Sequence, residues 1–439
     1  MKRKVKRFLS FIIAMLLVIT LFPYHNVEGA QKETTIKTIN VDSIKAKSST
    51  SYKKFVDRAV TDKYVMELRE NDQEQIMLQV TKDGDAYQKI DIEAIAKDGL
   101  EKEGLKVKNT VSLNFFQITS FDNTVCITGN IPYGSEKDNF LIITKDGESF
   151  TLIRMPSSLS AYSLGYIYKI GSKYVYTAKV GDEMGGKLGG NTAGYWVSKD
   201  LKNWEELETP SNKKSNALGA MWRLEGVTDK GILISALNDD IVPYQFYYSD
   251  DLKKFNKVNA SIQYDDINAN MRSVLENTAV MRREVVFKNN KMSAIKFLFT
   301  KDLKSWDKVL SYNPNQYSSN TLYTNYFGTA GNVTILFERE KGNSLFKYSL
   351  KNNSVQEYNT SIKSTLVGSG VIDDKYMYLV YDKKYILVSK DNFITSYKIK
   401  TPLNNIDKMT PFGNKLLLHG NSNYFISIKD IDKVIATSK

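Results

Sequence analysis

One short pattern recurs along the chain at near-constant spacing, and it limits the fold more than any other feature. It reads Ser or Thr, any residue, Asp, then Gly or Leu, with an aromatic residue closing the turn. The copies are TKDGDAY from Thr81, TKDGESF from Thr144, SKDLKNW from Ser198, SDDLKKF from Ser249 and TKDLKSW from Thr300. Degenerate copies follow at Ser349, Ser389 and Ser427, with Lys351 standing where one Asp is missing. From Asp83 to Asp430 the chain runs 347 residues in seven intervals, close to 50 each. Regularity of that length marks a structural repeat whose units stack on one another.

Each copy sits between two short hydrophobic runs, as in FLIITKDGESFTLIRM and FLFTKDLKSWDKV. Strand, polar turn, strand is a hairpin signature. A third run lies upstream, such as VYTAKV from Val175 or GILISAL from Gly231, and a shorter fourth precedes it. Four short strands per unit describe a β-propeller blade, so the expected fold is all-β, a propeller of seven or eight four-stranded blades. The repeat count favours eight; seven remains open if the last unit completes the first blade or caps it. The Asp carboxylate can accept backbone N–H bonds from residues just ahead, and the Ser or Thr hydroxyl closes the same turn. Asp83, Asp146, Asp200, Asp251, Asp302 and Asp391 are therefore read as structural, and Trp204, Phe255 and Trp306 as aromatics folded over the turn.

The SKDLKNW, SDDLKKF and TKDLKSW copies resemble the S-x-D-L-x-x-W hairpins of glycoside-hydrolase propellers. All copies are similar, more loosely, to the Asp-box (BNR) repeats of sialidases and related secreted propellers. An Asp-box places its Gly two residues after Asp, whereas TKDGESF has Gly147 directly after Asp146. The resemblance covers residues 50 to 439 through a short structural motif, and it implies fold more strongly than activity.

The domain layout expected is a signal peptide at 1–29, a linker at 30–51 and a propeller at 52–439. Lys2, Arg3, Lys4, Lys6 and Arg7 precede an apolar run from Phe8 to Phe22, too short for a membrane span of about 20 residues. Val27, Gly29 and Ala30 offer cleavage positions; a retained anchor is the alternative. Within the propeller, spacing of Ile92, Ile95 and Leu100 predicts a short helical insertion near 91–106. The reading is of a secreted protein of Gram-positive origin, expected to be a monomer with no stable membrane span after cleavage.

Composition narrows the chemistry. Cys126 is the only cysteine, which excludes an intrachain disulfide and a cysteine zinc cluster. The chain has two histidines, and His25 leaves with the signal, so a triad would have to be built on His419 alone. No metal or other cofactor is expected. The net charge is +12, and removing 1–29 with five basic groups and Glu28 leaves +8. The excess is lysine scattered through turns, which argues against nucleic acid as partner and for a salt-sensitive attraction to anionic wall polymers.

Sialidase chemistry would need an arginine trio, and its F/Y-R-I-P signature has only IRMP at Ile153 as a counterpart. Arg223 and Arg282 or Arg283 fall near expected first strands. A general glycosidase or lyase needs two carboxylates, for which Asp239 with Asp240, Asp265 with Asp266, and Asp373 with Asp374 are candidates. The Gly-rich loop GDEMGGKLGGNTAG, with Asp182, Glu183, Gly185, Gly186, Gly189 and Gly190, is the candidate binding loop, because glycine lets backbone approach a ligand closely. The leading expectation is a non-catalytic binding module at the cell envelope, or on extracellular glycan or protein. The glycosidase reading is the alternative.

Overall fold

The computed structural model describes residues 32–33, 35–40 and most of 54–437. Residues 1–31 and 41–53 lie outside the described residues, as do loops that include 132–138, 181–191, 211–221, 259–270, 313–324 and 361–368. The protein is a β-propeller. Among the described residues its antiparallel strands form eight consecutive units, spanning 54–90, 114–154, 163–206, 222–257, 271–312, 325–360, 369–400 and 406–427. The first strand of each unit contacts the first strand of the next, which arranges the units as blades in sequence order. Blades three and four join at Thr192 and Trp222 into one sheet.

The strands form here because their residues suit burial on both faces. All seven residues of Gly231–Leu237 are buried, and Val65–Arg69 is buried throughout. A blade's middle strands face neighbouring blades on either side, so both alternating faces become core. The core is accordingly a series of seams. Cys126 and Leu141 of blade two pack with Tyr176 and Trp196 of blade three. Ile170 and Tyr195 of blade three pack with Ile232 and Ile234 of blade four.

Two departures from the expected layout involve the chain ends. Lys32–Glu33 and Thr35–Asn40, expected within a linker, are strands. They add in parallel to the outer strands of blades six and seven, at Tyr358 to Asn359 and Thr395 to Lys400. An outermost blade strand carries a free hydrogen-bonding edge, and the β-branched Thr35, Ile36, Thr38 and Ile39 suit extended backbone. The eighth blade has three described strands instead of four. At Ser427, where other blades turn into a fourth strand, the chain enters the helix Ile428–Thr437. The Asp430 backbone N–H donates to Ser427 Oγ (3.1 Å), and the Ser427 N–H donates to Asp430 Oδ2 (3.2 Å). That reciprocal pair is a capping box, so the last copy of the repeat starts a helix and not a hairpin. Ile428, Ile431 and Ile435 then bury against blades seven and eight.

A second helix, Ile92–Lys102, links blades one and two, with the Asp91 carboxylate accepting from the Ala94 N–H at 2.9 Å. Its buried face is Ile92, Ala96 and Leu100, one residue every four, while Ile95 is only half-buried. A Cβ on Gly99 would lie 2.6 Å from Leu152 Cβ, so the helix could not rest this close to blade two with a larger residue there.

The residue after the repeat Asp explains why the motif alternates between Gly and Leu. Gly147, Leu201, Leu252 and Leu303 all have positive φ, at 77°, 65°, 55° and 64°. Leucine in that region costs roughly 1–2 kcal/mol. Burial offsets it, since Leu201, Leu252 and Leu303 are 5%, 6% and 0% exposed. Each wedges into the seam with the preceding blade, Leu303 packing among Leu233 and Phe246 of blade four. At Gly147 the same space is filled by Met66 of blade one, whose Cε is 3.0 Å from where a Cβ would stand.

The wedge has a measurable consequence. Leu303→Met keeps volume and an unbranched Cβ and should lower stability by less than about 1.5 kcal/mol. Leu303→Ile keeps volume but forces a β-branched residue into positive φ, and should cost more than about 2 kcal/mol. Denaturant midpoints compare them; equal losses would show that backbone strain is not what sets the residue type.

Candidate functional site

The repeat turns are the first sites to build, because their carboxylates are the most repeated acids in the chain. In the copies of blades two to five one oxygen of the Asp accepts two successive backbone N–H groups. Asp146 Oδ1 takes Glu148 (2.9 Å) and Ser149 (2.8 Å), and Asp200 Oδ1 takes Lys202 (2.9 Å) and Asn203 (2.8 Å). Asp302 Oδ1 takes Lys304 (2.9 Å) and Ser305 (2.8 Å), and Asp251 Oδ1 takes Lys253 (2.9 Å) and Lys254 (3.3 Å). The Ser or Thr two residues earlier reaches the same oxygen, at 3.0 Å for Ser198. These amides favour the ionised form, so Asp146 and Asp200 are held far below the usual carboxylate range. Asp251 is also lowered, by the Lys253 amide first, and at Asp302 the turn's hydrogen bonds outweigh an opposing effect of burial.

The aromatics complete these turns. Trp204 stands edge-on to Tyr176 at 6.1 Å and donates its indole N–H to the Leu201 carbonyl at 3.1 Å. Phe255 lies edge-on to Tyr195 at 5.6 Å, across the blade three and four seam, and Trp306 tilts against Phe246 at 6.4 Å.

A different cluster lies where the last blade meets the first. Glu67 is fully buried in the strand Val65–Glu70, directly after the apolar Val65 and Met66. Arg58, its cross-strand partner, donates through Nε to Oε1 at 2.7 Å, and Arg69 donates through Nε to Oε2 at 2.9 Å. Arg58 Nη1 also reaches Thr410 Oγ1 (2.9 Å), and Arg69 Nη2 reaches His419 Nδ1 (3.2 Å), both in blade eight. A guanidinium only donates, so His419 Nδ1 is the acceptor and the ring proton sits on Nε2. Burial pushes the Glu67 carboxyl up, but the two guanidiniums outweigh it and hold it below its ordinary value. Blade one takes its strands from 54–90 and blade eight from 406–427, with no strand shared between them among the described residues. The five groups therefore bridge the ends of the ring through polar contacts. A smaller, half-buried pair recurs in blade four, where the buried Glu225 accepts from Arg223 Nε (2.9 Å) and from the Ser235 hydroxyl.

Two open grooves lie among the described residues. One, of 820 Å³, runs along the helix Ile92–Lys102 and is lined by charges already paired within the helix, including Glu93 with Lys97 at 2.7 Å. The other, of 550 Å³, lies between the repeat turns of blades two and three and includes Lys145, Lys199 and Lys202.

The structure thus gathers some expected residues and separates others. Asp146, Asp200, Asp251 and Asp302 occupy equivalent turns of successive blades, not one centre. Asp83, Asp391, the loop residues Asp182, Glu183, Gly185, Gly186, Gly189 and Gly190, and all three acidic pairs lie outside the described residues. Arg282 and Arg283 belong to the second strand of blade five, Ala279–Lys288, while Arg223 lies on the first strand of blade four. The Arg58–Glu67–Arg69–His419 cluster escaped sequence reasoning because none of its members repeats. The available signal was Glu67 itself, a charge within the apolar stretch YVMEL.

Removing one member of a buried charge cluster strands the others. Glu67→Leu should lower stability by about 3–5 kcal/mol. Replacing the whole set with apolar residues of similar volume should cost much less, and thermal melts of both variants test this. The lowered carboxyls also set a pH response. Stability is fully present above the ordinary carboxyl values of 4.5 for Glu67 and 3.8 for the turn acids. It should fall as pH drops below about 4 and protons bind to acids held ionised in the fold. Asp302→Asn should remove part of that acid sensitivity and loosen its turn, at a cost of about 1 kcal/mol.

No protein-family model matches the sequence, and no curated protein is similar to it. Among solved structures, YCF48 from Cyanidioschyzon merolae aligns over 88% of this chain and 99% of its own, at 9% identity and a TM-score of 0.43. Sqt1 of Saccharomyces cerevisiae aligns over 91% and 99%, at 8% identity and 0.47. The β-propeller domain of the Trilobed protease from Pyrococcus furiosus aligns over 70% and 90%, at 9% identity and 0.40. These are likenesses of chain path at identities too low to carry over a function.

Proposed function

We propose that this protein is a secreted, non-catalytic β-propeller that binds extracellular polymer, glycan or protein at the bacterial cell envelope. The observation that carries the reading is where its acids are engaged: Asp146, Asp200, Asp251 and Asp302 each give one oxygen to two backbone amides of a turn, and Glu67 is held between two guanidiniums. Among the described carboxyl groups, those whose ionisation departs clearly from the ordinary are all biased toward the anion: Glu67, Asp146, Asp200, Asp251 and Asp302. A glycosidase acid needs the opposite shift, because it must keep a proton near neutral pH. These acids hold turns and a seam, which is work for a scaffold.

Secretion is supported by the basic and apolar segment at the start of the chain, and the Asp-box likeness of the turns is in keeping with secreted propellers. The lysine excess supports attraction to anionic envelope polymers, a force that salt screens within about 10 Å at 0.1 M. A propeller suits this role because its rims present loops from every blade on a rigid ring.

Purified protein should be retained on isolated cell wall, and retention should decline steadily with added salt. A panel of fluorogenic glycosides and polysaccharides should show no turnover. Turnover abolished by changing one acid of the pairs Asp239 and Asp240, Asp265 and Asp266, or Asp373 and Asp374, with Asp302→Asn still active, would overturn the non-catalytic reading.

A further inference from the structure

The groove between the repeat turns of blades two and three gathers lysines from two successive turns along one surface. Some turn lysines elsewhere are engaged, Lys82 with Glu148 at 2.9 Å, Lys304 with Asp250 at 2.8 Å and Lys390 with Asp432 at 3.2 Å, whereas Lys253 and Lys254 of the blade four turn are exposed and, among the described residues, line no such groove with a second turn. Lys145, Lys199 and Lys202 are exposed, line one groove of 550 Å³, and form no ion pair among the described residues. The turn needs none of them, since it is made by hydroxyl, carboxylate and amides. Asp146 and Asp200 share the groove walls, but Oδ1 of each is directed at two backbone amides. The half-buried Tyr174 adds an aromatic surface, its ring held edge-on to Phe121 at 5.8 Å. Thr124 and Thr151 also line it and bring hydroxyl groups.

We infer that this groove binds an anionic, hydroxyl-rich polymer. Repeated anionic groups meet the three ammonium groups, polymer hydroxyls meet the threonines, and an apolar C–H face lies against Tyr174. Lysine is a point charge that does not demand a two-pronged partner, which suits a flexible polyanion better than one rigid ligand. The inference rests on the envelope-binding reading and gives it a site. The anionic group can be the phosphate of a wall polymer or the carboxylate of a uronic acid chain.

The test titrates the protein with poly(glycerol phosphate) teichoic acid, polygalacturonate and neutral dextran across a salt series. It compares wild type with K145Q/K199Q/K202Q and with a control triple at exposed lysines elsewhere, K63Q/K230Q/K257Q. Wild type should bind at least one anionic polymer and not dextran, and the stronger of the two identifies phosphate or carboxylate. The groove triple should lose tenfold or more in affinity, on the order of the loss of three charge contacts. The slope of log K against log salt should shrink by about 2, each ammonium releasing about 0.7 of a counterion. The control triple should stay within about threefold. Thermal melts should match wild type for both, since all six lysines are exposed. An unchanged groove triple, or equal losses in the two triples, would overturn the groove while leaving wall binding intact. Wild type that binds neither anionic polymer but still binds whole wall would also overturn it. Failure to bind whole wall at all would overturn the envelope reading itself.

Discussion

The structure depends on a carboxylate that, in blades two to five, accepts two backbone amides just past the third strand. That contact reverses the chain and forces the next residue into positive φ. The forced residue is then either Gly147, which tolerates the conformation, or a leucine that recovers its cost by burial against the preceding blade. A local hydrogen-bonding event is thereby converted into a contact between blades. The same few atoms shape the hairpin and set how one repeat meets the last.

A ring assembled this way still has to meet itself. The described interior seams are closed largely by apolar side chains, as between blades four and five. At the junction of blades one and eight, Arg58, Glu67 and Arg69 reach Thr410 and His419 by directional hydrogen bonds. Buried charge is a weak source of net stability, because desolvation consumes most of the attraction. Its directionality suits a junction where two ends some 350 residues apart must register uniquely. The terminal helix, capped by Ser427 and Asp430, closes the last blade where a fourth strand would otherwise stand.

Acids and bases divide their work in this molecule. The repeated aspartates turn inward to backbone amides and remain anions in structural service. The lysines beside them point to solvent, and their charge is what another molecule meets. Between blades two and three that charge collects in one groove, because two turns approach there without acidic partners for their lysines.

Much of the fold was legible in the chain. The 50-residue period, the strands flanking each Asp and the helical spacing near Ile92 are local properties, set by turn chemistry and hydrophobic period. Repetition made them visible, since a motif seen several times separates from chance. The last copy misled because SIKD also satisfies a helix cap, and only the packing of Ile431 and Ile435 against blades seven and eight selects the helix. The N-terminal strands were hidden for a related reason: their partners lie more than 300 residues away, and pairing leaves no periodic trace. What the sequence alone determined, then, is the unit and its turn, because both follow from contacts within a few residues. Tertiary structure alone decided the Glu67 cluster at the ring junction and the lysine groove, since each joins residues that meet only when blades stand side by side.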